Sequence, residues 1–294
     1  MQVLVHGGAG GEPDDPDGRE SALSEAVTAG VAATTPQAAV VAAVRHLEAD
    51  PRFTAGTGSA VQSDGLVRTE AGLMTDDGES GAACGLVGVE HAVDVARVVK
   101  AETPHVLLAG EPAVALADAF GVPTDRDLWT DRTRERWASE DPPVDPDAGE
   151  QLAWLRTRFG GGDGTDSGGR DHDTVGAVAT DGTHLAAATS TGGRWFALAG
   201  RVGDVPQVGA GFFASDQAAA SATGEGEAIA RFGLARRVVE AVGDGDDPQR
   251  AADRVLRGFA SETGAEAGVI AVDSTGATGR ATNAECMQTA AEED

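Results

Sequence analysis

One feature divides this chain. A stretch rich in Pro, Asp and Gly over 139–173 ends abruptly at Thr174, where a β-strand pattern begins. The stretch carries Pro142, Pro143 and Pro146, many Asp, and a run of glycines between Gly160 and Arg170. Its few apolar residues cannot offset the entropy of ordering it, so it reads as a flexible acidic linker with one short helix over 151–158. A loop of that length within a compact domain is either disordered or functional. The ordered sequence lies on either side of it.

On the N-terminal side, Val3-Leu4-Val5 reads as a buried strand running into the glycine-rich loop His6-Gly7-Gly8-Ala9-Gly10-Gly11. Alanine-rich helices follow over 21–33 and 36–48. Thr35-Pro36 opens the second, a capping hydroxyl before a Pro at the first helical position. Short strands and turns fill 56–89, with Asp64-Gly65 as a hairpin turn. Helices over 91–100 and 112–120 complete this part; Val95, Val98 and Val99 share one face of the first. After Thr174 the pattern gives a strand to 180, a turn at Asp181-Gly182 and a return strand over 184–190. Then come a hairpin of 208–213 with 217–222, a helix over 227–242, a helix over 248–262 and a hairpin of 268–272 with 277–282. Ile229, Phe232, Ala235, Val239 and Val242 lie in one arc of the 227–242 helix. Strands in groups and helices in pairs predict a layered α+β fold with antiparallel sheets, not a doubly wound parallel one.

The charge excludes two partner classes. Among 294 residues, 22 Lys+Arg face 48 Asp+Glu, a net −26. Nucleic acid and anionic membranes both need clustered cations, so neither is expected as a partner. Lys100 is the sole lysine, and 41 glycines accompany a complete lack of tyrosine. Such a composition is similar to that of halophilic cytoplasmic proteins, whose carboxylates stay hydrated while salt screens their repulsion; an acidic mesophilic protein is the alternative. Cys84 and Cys286 form neither a disulfide framework nor a metal-spaced cluster. The N-terminus lacks a secretory pattern, and the longest apolar stretch, 38–44, is too short to cross a bilayer. The expected location is the cytoplasm.

Thr174 is the sharpest chemical candidate. If the Asp173–Thr174 bond is cut, Thr174 holds both a hydroxyl nucleophile and a free α-amine. An amine with a pKa of about 8 can serve as the base for its own hydroxyl. The plain alternative is an ordinary β-branched strand residue. A two-residue turn at Asp181-Gly182 pairs Thr174 with Thr189 and brings Thr191 onto the same face, at a diagonal of about 7–8 Å. Arg201 and Asp204, three apart in Gly200-Arg201-Val202-Gly203-Asp204, match the two charges of an amino-acid head group, or form a surface ion pair. Thr223-Gly224-Glu225-Gly226 before a helix offers oxyanion donors, or caps the helix. The glycine loop after His6 fails the dinucleotide template, because Pro13 stands where its last glycine is required. The four tryptophans read as packing residues.

Together these motifs resemble the plant-type L-asparaginase/isoaspartyl peptidase family of N-terminal nucleophile hydrolases. The resemblance runs from Val3-Leu4-Val5-His6-Gly7-Gly8-Ala9-Gly10 through Thr103-Pro104-His105-Val106 to Thr174-Val175-Gly176-Ala177-Val178-Ala179. It continues in Ala188-Thr189-Ser190-Thr191-Gly192-Gly193, Gly200-Arg201-Val202-Gly203-Asp204, Gly209-Ala210-Gly211 and Thr223-Gly224-Glu225-Gly226-Glu227. It implies a four-layer αββα sandwich, two stacked antiparallel sheets between helical layers. It also implies a precursor that cuts itself between Asp173 and Thr174, giving subunits of 173 and 121 residues from one domain. Two such processed units are expected to form a homodimer.

By the same resemblance, Thr174 is the nucleophile and Thr191 the threonine that supports it. Thr223 and Gly224 form the oxyanion hole. Arg201 grips the substrate α-carboxylate, while Asp204 and Gly226 hold its ammonium. The implied reaction hydrolyses L-asparagine or β-aspartyl dipeptides through a covalent threonine ester, with no cofactor required. A structural Na⁺ in the 47–55 loop occurs in some members. The sequence departs from the pattern at Thr54, where the family has an Asn that supports the nucleophile. It departs also at Glu70-Ala71-Gly72, at Ala197 for the usual Lys and at Val205 for the common Ser. Competing readings are a glycosylasparaginase-type amidase and a non-catalytic homologue that kept the fold.

Overall fold

The computed structural model describes residues 1–144, 146–159 and 173–292. The glycine run between Gly160 and Arg170, and His172, lie outside the described residues. Strand β1 (Gln2–Gly10) leads to helices α1 (Pro16–Val31) and α2 (Pro36–Ala49), then to strands β2 (Thr69–Thr75) and β3 (Ser80–Leu86). Helix α3 (Ala92–Glu102), the short β4 (Leu107–Ala109) and helices α4 (Gly110–Ala119), α5 (Asp131–Ser139) and α6 (Ala148–Phe159) follow. After the junction come β5 (Val175–Thr180), β6 (Leu185–Thr191), β7 (Phe212–Ala214) and β8 (Ala218–Gly224). Helices α7 (Gly226–Phe232), α8 (Leu234–Gly243) and α9 (Pro248–Thr263) precede β9 (Ala267–Asp273), β10 (Thr278–Thr282) and β11 (Cys286–Ala291).

The strands make two sheets. The larger has seven strands in the order β11-β1-β5-β6-β2-β3-β4, and the smaller four in the order β10-β9-β8-β7. All pairings are antiparallel except that of β4 with β3. Leu4, Met74, Val178 and Ala187 of the larger sheet meet Phe212, Ala219, Ile270 and Val272 of the smaller in one buried layer. The opposite face of the larger sheet packs on α1, α2 and α3 through residues such as Leu23, Val44 and Val95. That of the smaller packs on α8 and α9 through Val238, Leu256 and Phe259. The mixed α+β fold of the sequence reading therefore holds, and β5, which follows Thr174, is an interior strand of the larger sheet, between β1 and β6.

Local signals explain most elements. Thr35 accepts the N–H of Ala38 at the head of α2, with Pro36 at the first position. The expected 227–242 helix is broken at Gly233, whose φ of 72° interrupts the ladder and turns α7 into α8. Helix α6 is longer than the short helix read from sequence. With Trp137, Trp195 and Phe196, its Trp154 forms a satellite aromatic cluster, so 148–157 is docked rather than a loose part of the linker.

The hairpin that follows Thr174 also differs from the expected one. Its turn has four residues, because the Asp181 carboxylate accepts the N–H groups of both Thr183 and His184. Thr180 thus pairs with Leu185 and Val175 with Ser190. The register moves by two residues, which preserves every side-chain face. Continued one step further, it sets Thr191 directly across from Thr174 instead of on the diagonal.

Candidate active site

Thr174 lies at the head of β5 and is 5% exposed. The carbonyl of Asp173, which precedes it, accepts a hydrogen bond from the Thr191 hydroxyl at 2.8 Å. Thr191 is itself fixed: its Oγ1 accepts the N–H of Gly193 at 3.1 Å and leans on the Thr54 carbonyl at 3.4 Å. The Asp173–Thr174 amide therefore has a hydroxyl beside it and an O–H donor on its carbonyl oxygen. Thr54 meets the site through its backbone, accepting the N–H of Gly192 at 2.7 Å. Its hydroxyl has no hydrogen-bond partner among the described residues.

What holds β5 in place lies behind it. His6 and Gly176 are register partners on β1 and β5. His6 Nε2 is 2.8 Å from Ser221 Oγ, and Ser221 Oγ is 2.8 Å from Thr189 Oγ1. Thr189 donates to the Gly211 carbonyl at 3.0 Å. That fixes the direction of the chain: Ser221 donates to Thr189, and His6 donates from Nε2 to Ser221. Burial drives the His6 pKa down to about 3, so the ring is neutral. A Cβ at Gly176 would overlap both Ser221 Oγ and His6 Nε2, so only glycine lets the two sheets close here. These residues tie β5 to the smaller sheet; of them only Ser221 lies outside the motifs quoted from the sequence, and none of the others was given this role there.

Two residues along from Ser221, Thr223 is fully buried, and its Oγ1 accepts the N–H of Ala9 at 3.2 Å. A hydroxyl keeps its proton when it accepts, and Thr223 donates to no described residue. Gly224 has a φ of 131° and lies against Ala267, where a Cβ would come within 2.6 Å of the Ala267 Cα. The helix after this turn, α7, is only seven residues long.

Arg201 and Asp204 do not form a surface ion pair with each other: Asp204 is buried, and the part-buried Arg201 pairs with the exposed Glu227. Arg201 binds Glu227 in bidentate fashion, Nε to Oε1 at 2.9 Å and Nη2 to Oε2 at 3.0 Å. Its Nη1 makes no hydrogen bond to a described residue. Asp204 is 4% exposed, and its Oδ2 is buried without a partner. A Cβ on Gly226 would fall 2.7 Å from Asp204 Oδ1 and 2.8 Å from Arg201 Nη2, so a glycine floor separates the two charges. Glu70, buried nearby, accepts the N–H of Gly203 at 3.0 Å and braces the loop. Gln62 braces it from the other side, donating to the Arg201 carbonyl and accepting from the N–H of Gly200.

Electrostatics follow from burial. It pushes the Asp204 and Glu70 carboxyls up to about 7, with the Arg201 charge opposing. Burial also pushes against ionised Glu227, but the two hydrogen bonds and charge of Arg201 outweigh it and hold that carboxyl at about 2. Arg201 Nη1 and Asp204 Oδ2, both without a hydrogen-bond partner among the described residues, have the chemistry to receive a carboxylate and an ammonium respectively. Sequence reasoning missed the Glu227 clamp, although Glu227 closes the very motif that supplies Thr223 and Gly224.

The asparaginase family matches the chain over residues 1–294. The plant-type L-asparaginase of Pyrococcus abyssi is 38% identical over 300 aligned positions, covering 98% of this chain and 94% of the relative. That of Pyrobaculum calidifontis is 41% identical, covering 93% and 91%. The isoaspartyl peptidase/L-asparaginase of Danio rerio is 35% identical, covering 93% and 86%. Among the described residues no helix is long and apolar enough to cross a membrane, and no three His, Cys, Asp or Glu residues cluster as metal ligands.

Proposed function

This chain belongs to the plant-type L-asparaginase/isoaspartyl peptidase family of hydrolases, and from that premise we propose that it cuts itself at Asp173–Thr174 and then hydrolyses L-asparagine and β-aspartyl dipeptides. The observation that carries the reading is the Thr191 hydroxyl on the Asp173 carbonyl, with the Thr174 hydroxyl on the very next residue. We read the layering of helices, sheet, sheet and helices as the αββα sandwich of N-terminal nucleophile hydrolases.

Self-cleavage begins when Thr174 Oγ attacks the Asp173 carbonyl carbon. The Thr191 hydroxyl stabilises the charge that develops on the oxygen. The C–N bond breaks, the nitrogen takes the hydroxyl proton, and an ester links Asp173 to Thr174 Oγ. Water then hydrolyses the ester. The products are a chain of residues 1–173 and a chain of 174–294 that begins with a free amine.

In the processed protein, that amine takes the Thr174 hydroxyl proton as Oγ attacks the side-chain carbonyl of the substrate. Thr223 Oγ1 and the Gly224 N–H receive the oxyanion. The free Nη1 edge of Arg201 holds the α-carboxylate, and Asp204 Oδ2, over the Gly226 floor, holds the α-ammonium. The leaving ammonia or amine takes the proton back, and water releases aspartate from the ester. Thr54 contributes only its backbone to this site, so the orienting role of the family's Asn falls to the buried support around Thr191.

Two further expectations belong to this reading. In the 47–55 loop the carbonyls of buried Phe53 and Ala55 accept no hydrogen bond from described residues. They are the uncharged oxygen donors that a structural Na⁺ would use. Two processed units are expected to pair, which light scattering after gel filtration measures. The direct test of the reading is a denaturing gel of purified protein together with ammonia release from L-asparagine. Two fragments and turnover support it; an intact, inactive chain rejects it.

A further inference from the structure

Arg19 takes no part in the steps above, yet it is 8% exposed and its guanidinium reaches the residue before the nucleophile. Nη1 donates to Asp173 Oδ2 at 2.9 Å, its only ion pair among the described residues. Everything else that holds it is independent of Asp173. Nη2 donates to the Gly7 carbonyl and Nη1 also to the Arg52 carbonyl at 3.3 Å, while the guanidinium carbon sits 4.5 Å from the centre of the Phe53 ring. Its Nε is buried without a partner. Asp173 lies against bare backbone, since a Cβ on Gly8 would come within 2.5 Å of its Oδ1. A cavity of about 110 Å³ opens beside this pair, with Gly8, Gly10 and Gly11 in its wall.

Cutting the Asp173–Thr174 bond makes Asp173 a chain end. If it withdraws, a fixed and largely desolvated cation is left without a counter-charge, which is costly until another anion arrives. We propose that the Arg19 pocket then seats the α-carboxylate of the departing residue of a β-aspartyl dipeptide. The proposal rests on the processing and hydrolase reading above. Position supports it. The Thr174 nitrogen, bonded in the precursor to the Asp173 carbonyl carbon, is the group that must protonate the leaving amine. In a dipeptide the carbon of that carboxylate is two bonds from the leaving amine. The pocket therefore lies about one residue's length from where the amine departs. Ammonia, the leaving group of asparagine, carries nothing that reaches it. Arg132 adds a second cation to the lining, which the exposed carboxylates of Glu12 and Asp14 also join.

The processed protein tests this by its kcat/KM on β-aspartyl-leucine and on the same dipeptide with an amidated C-terminus. A charge-assisted hydrogen bond is worth about 10- to 100-fold in binding, so the acid is expected to exceed the amide by that factor. In Arg19→Gln the ratio falls to about one, while Arg19→Lys retains part of it, since both carry hydrogen-bonding ends but only Lys is charged. Because the ratio is taken within one protein, incomplete folding or processing of a variant cancels. A cut, active wild-type chain with a ratio near one overturns the proposal alone, and shows that the severed Asp173 end keeps the seat. A ratio that persists in Arg19→Gln also overturns it. A chain that is never cut and is inactive on both substrates overturns the processing reading, and this proposal with it.

Discussion

Thr191→Val is the most informative single change in the precursor. It keeps the β-branched shape of a buried strand residue and removes one O–H group. That group makes the 2.8 Å hydrogen bond to the Asp173 carbonyl, so the cost in cleavage rate is that of an oxyanion donor, about 10²–10³-fold. The bond already exists in the uncut chain, and only its strengthening in the transition state accelerates the reaction. The expected loss is therefore at the lower end, about 10²-fold. Stability suffers separately, because the Gly193 N–H loses its acceptor at a cost of about 1–3 kcal/mol. A domain with about 5–15 kcal/mol in hand still folds. The assay follows the 29.6 kDa chain into fragments of 173 and 121 residues, by gel densitometry after a pulse of cell-free synthesis. Thr191→Ser, which keeps the hydroxyl, cleaves within about tenfold of wild type. Valine and wild-type chains cut at the same rate would refute the role given to this hydrogen bond.

Three other outcomes follow from the site and the surface. Arg201→Ala raises KM for asparagine by about 10- to 100-fold while fragments still form, because it removes the carboxylate partner and not the cleavage groups; an unchanged KM refutes the assignment. The raised Asp204 carboxyl makes substrate capture depend on pH: kcat/KM climbs as pH passes through about 7 and the group ionises, and Asp204→Asn abolishes that limb together with most activity. Its sign in stability is opposite, since the neutral form suits the folded site. The contribution is whole below about 4 and is lost as pH rises to about 7, so a Tm that climbs steadily over that range in wild type but not in Asp204→Asn contradicts the burial argument. Finally, a net charge of −26 predicts a Tm that rises between dilute buffer and molar KCl, as screening relieves repulsion; a flat Tm rejects the halophilic reading of the composition.

How far the sequence could be read depended on the range of the interaction. Thr35-Pro36 announced α2, because capping is decided within three residues. The Thr174 strand and its return were legible from alternation and a turn. Their register was not, because it depends on which backbone groups the Asp181 carboxylate accepts. Helix α5 was missed: Asp131-Arg132-Thr133-Arg134-Glu135-Arg136 has no apolar stripe, and the helix starts from a Thr130–Thr133 capping box. β11 was missed too, since each of its residues is only partly buried and alternation is weak, while its pairing partner β1 lies at the other end of the chain. At the site, Thr174, Thr191, Arg201, Asp204 and Thr223 were nameable as motif residues. Arg19 was not, since its meaning comes from Asp173, 154 positions away. Nor did sequence show that Thr54 would present its carbonyl and not its hydroxyl to Thr191.

Intact-mass analysis of the purified protein, with N-terminal sequencing of each species and activity measured on the same sample, tests the central claim most directly. The account predicts two polypeptides, one of which begins Thr174-Val175-Gly176, and asparagine hydrolysis that grows in proportion to that species. A single uncut polypeptide that turns over asparagine at full rate would contradict it.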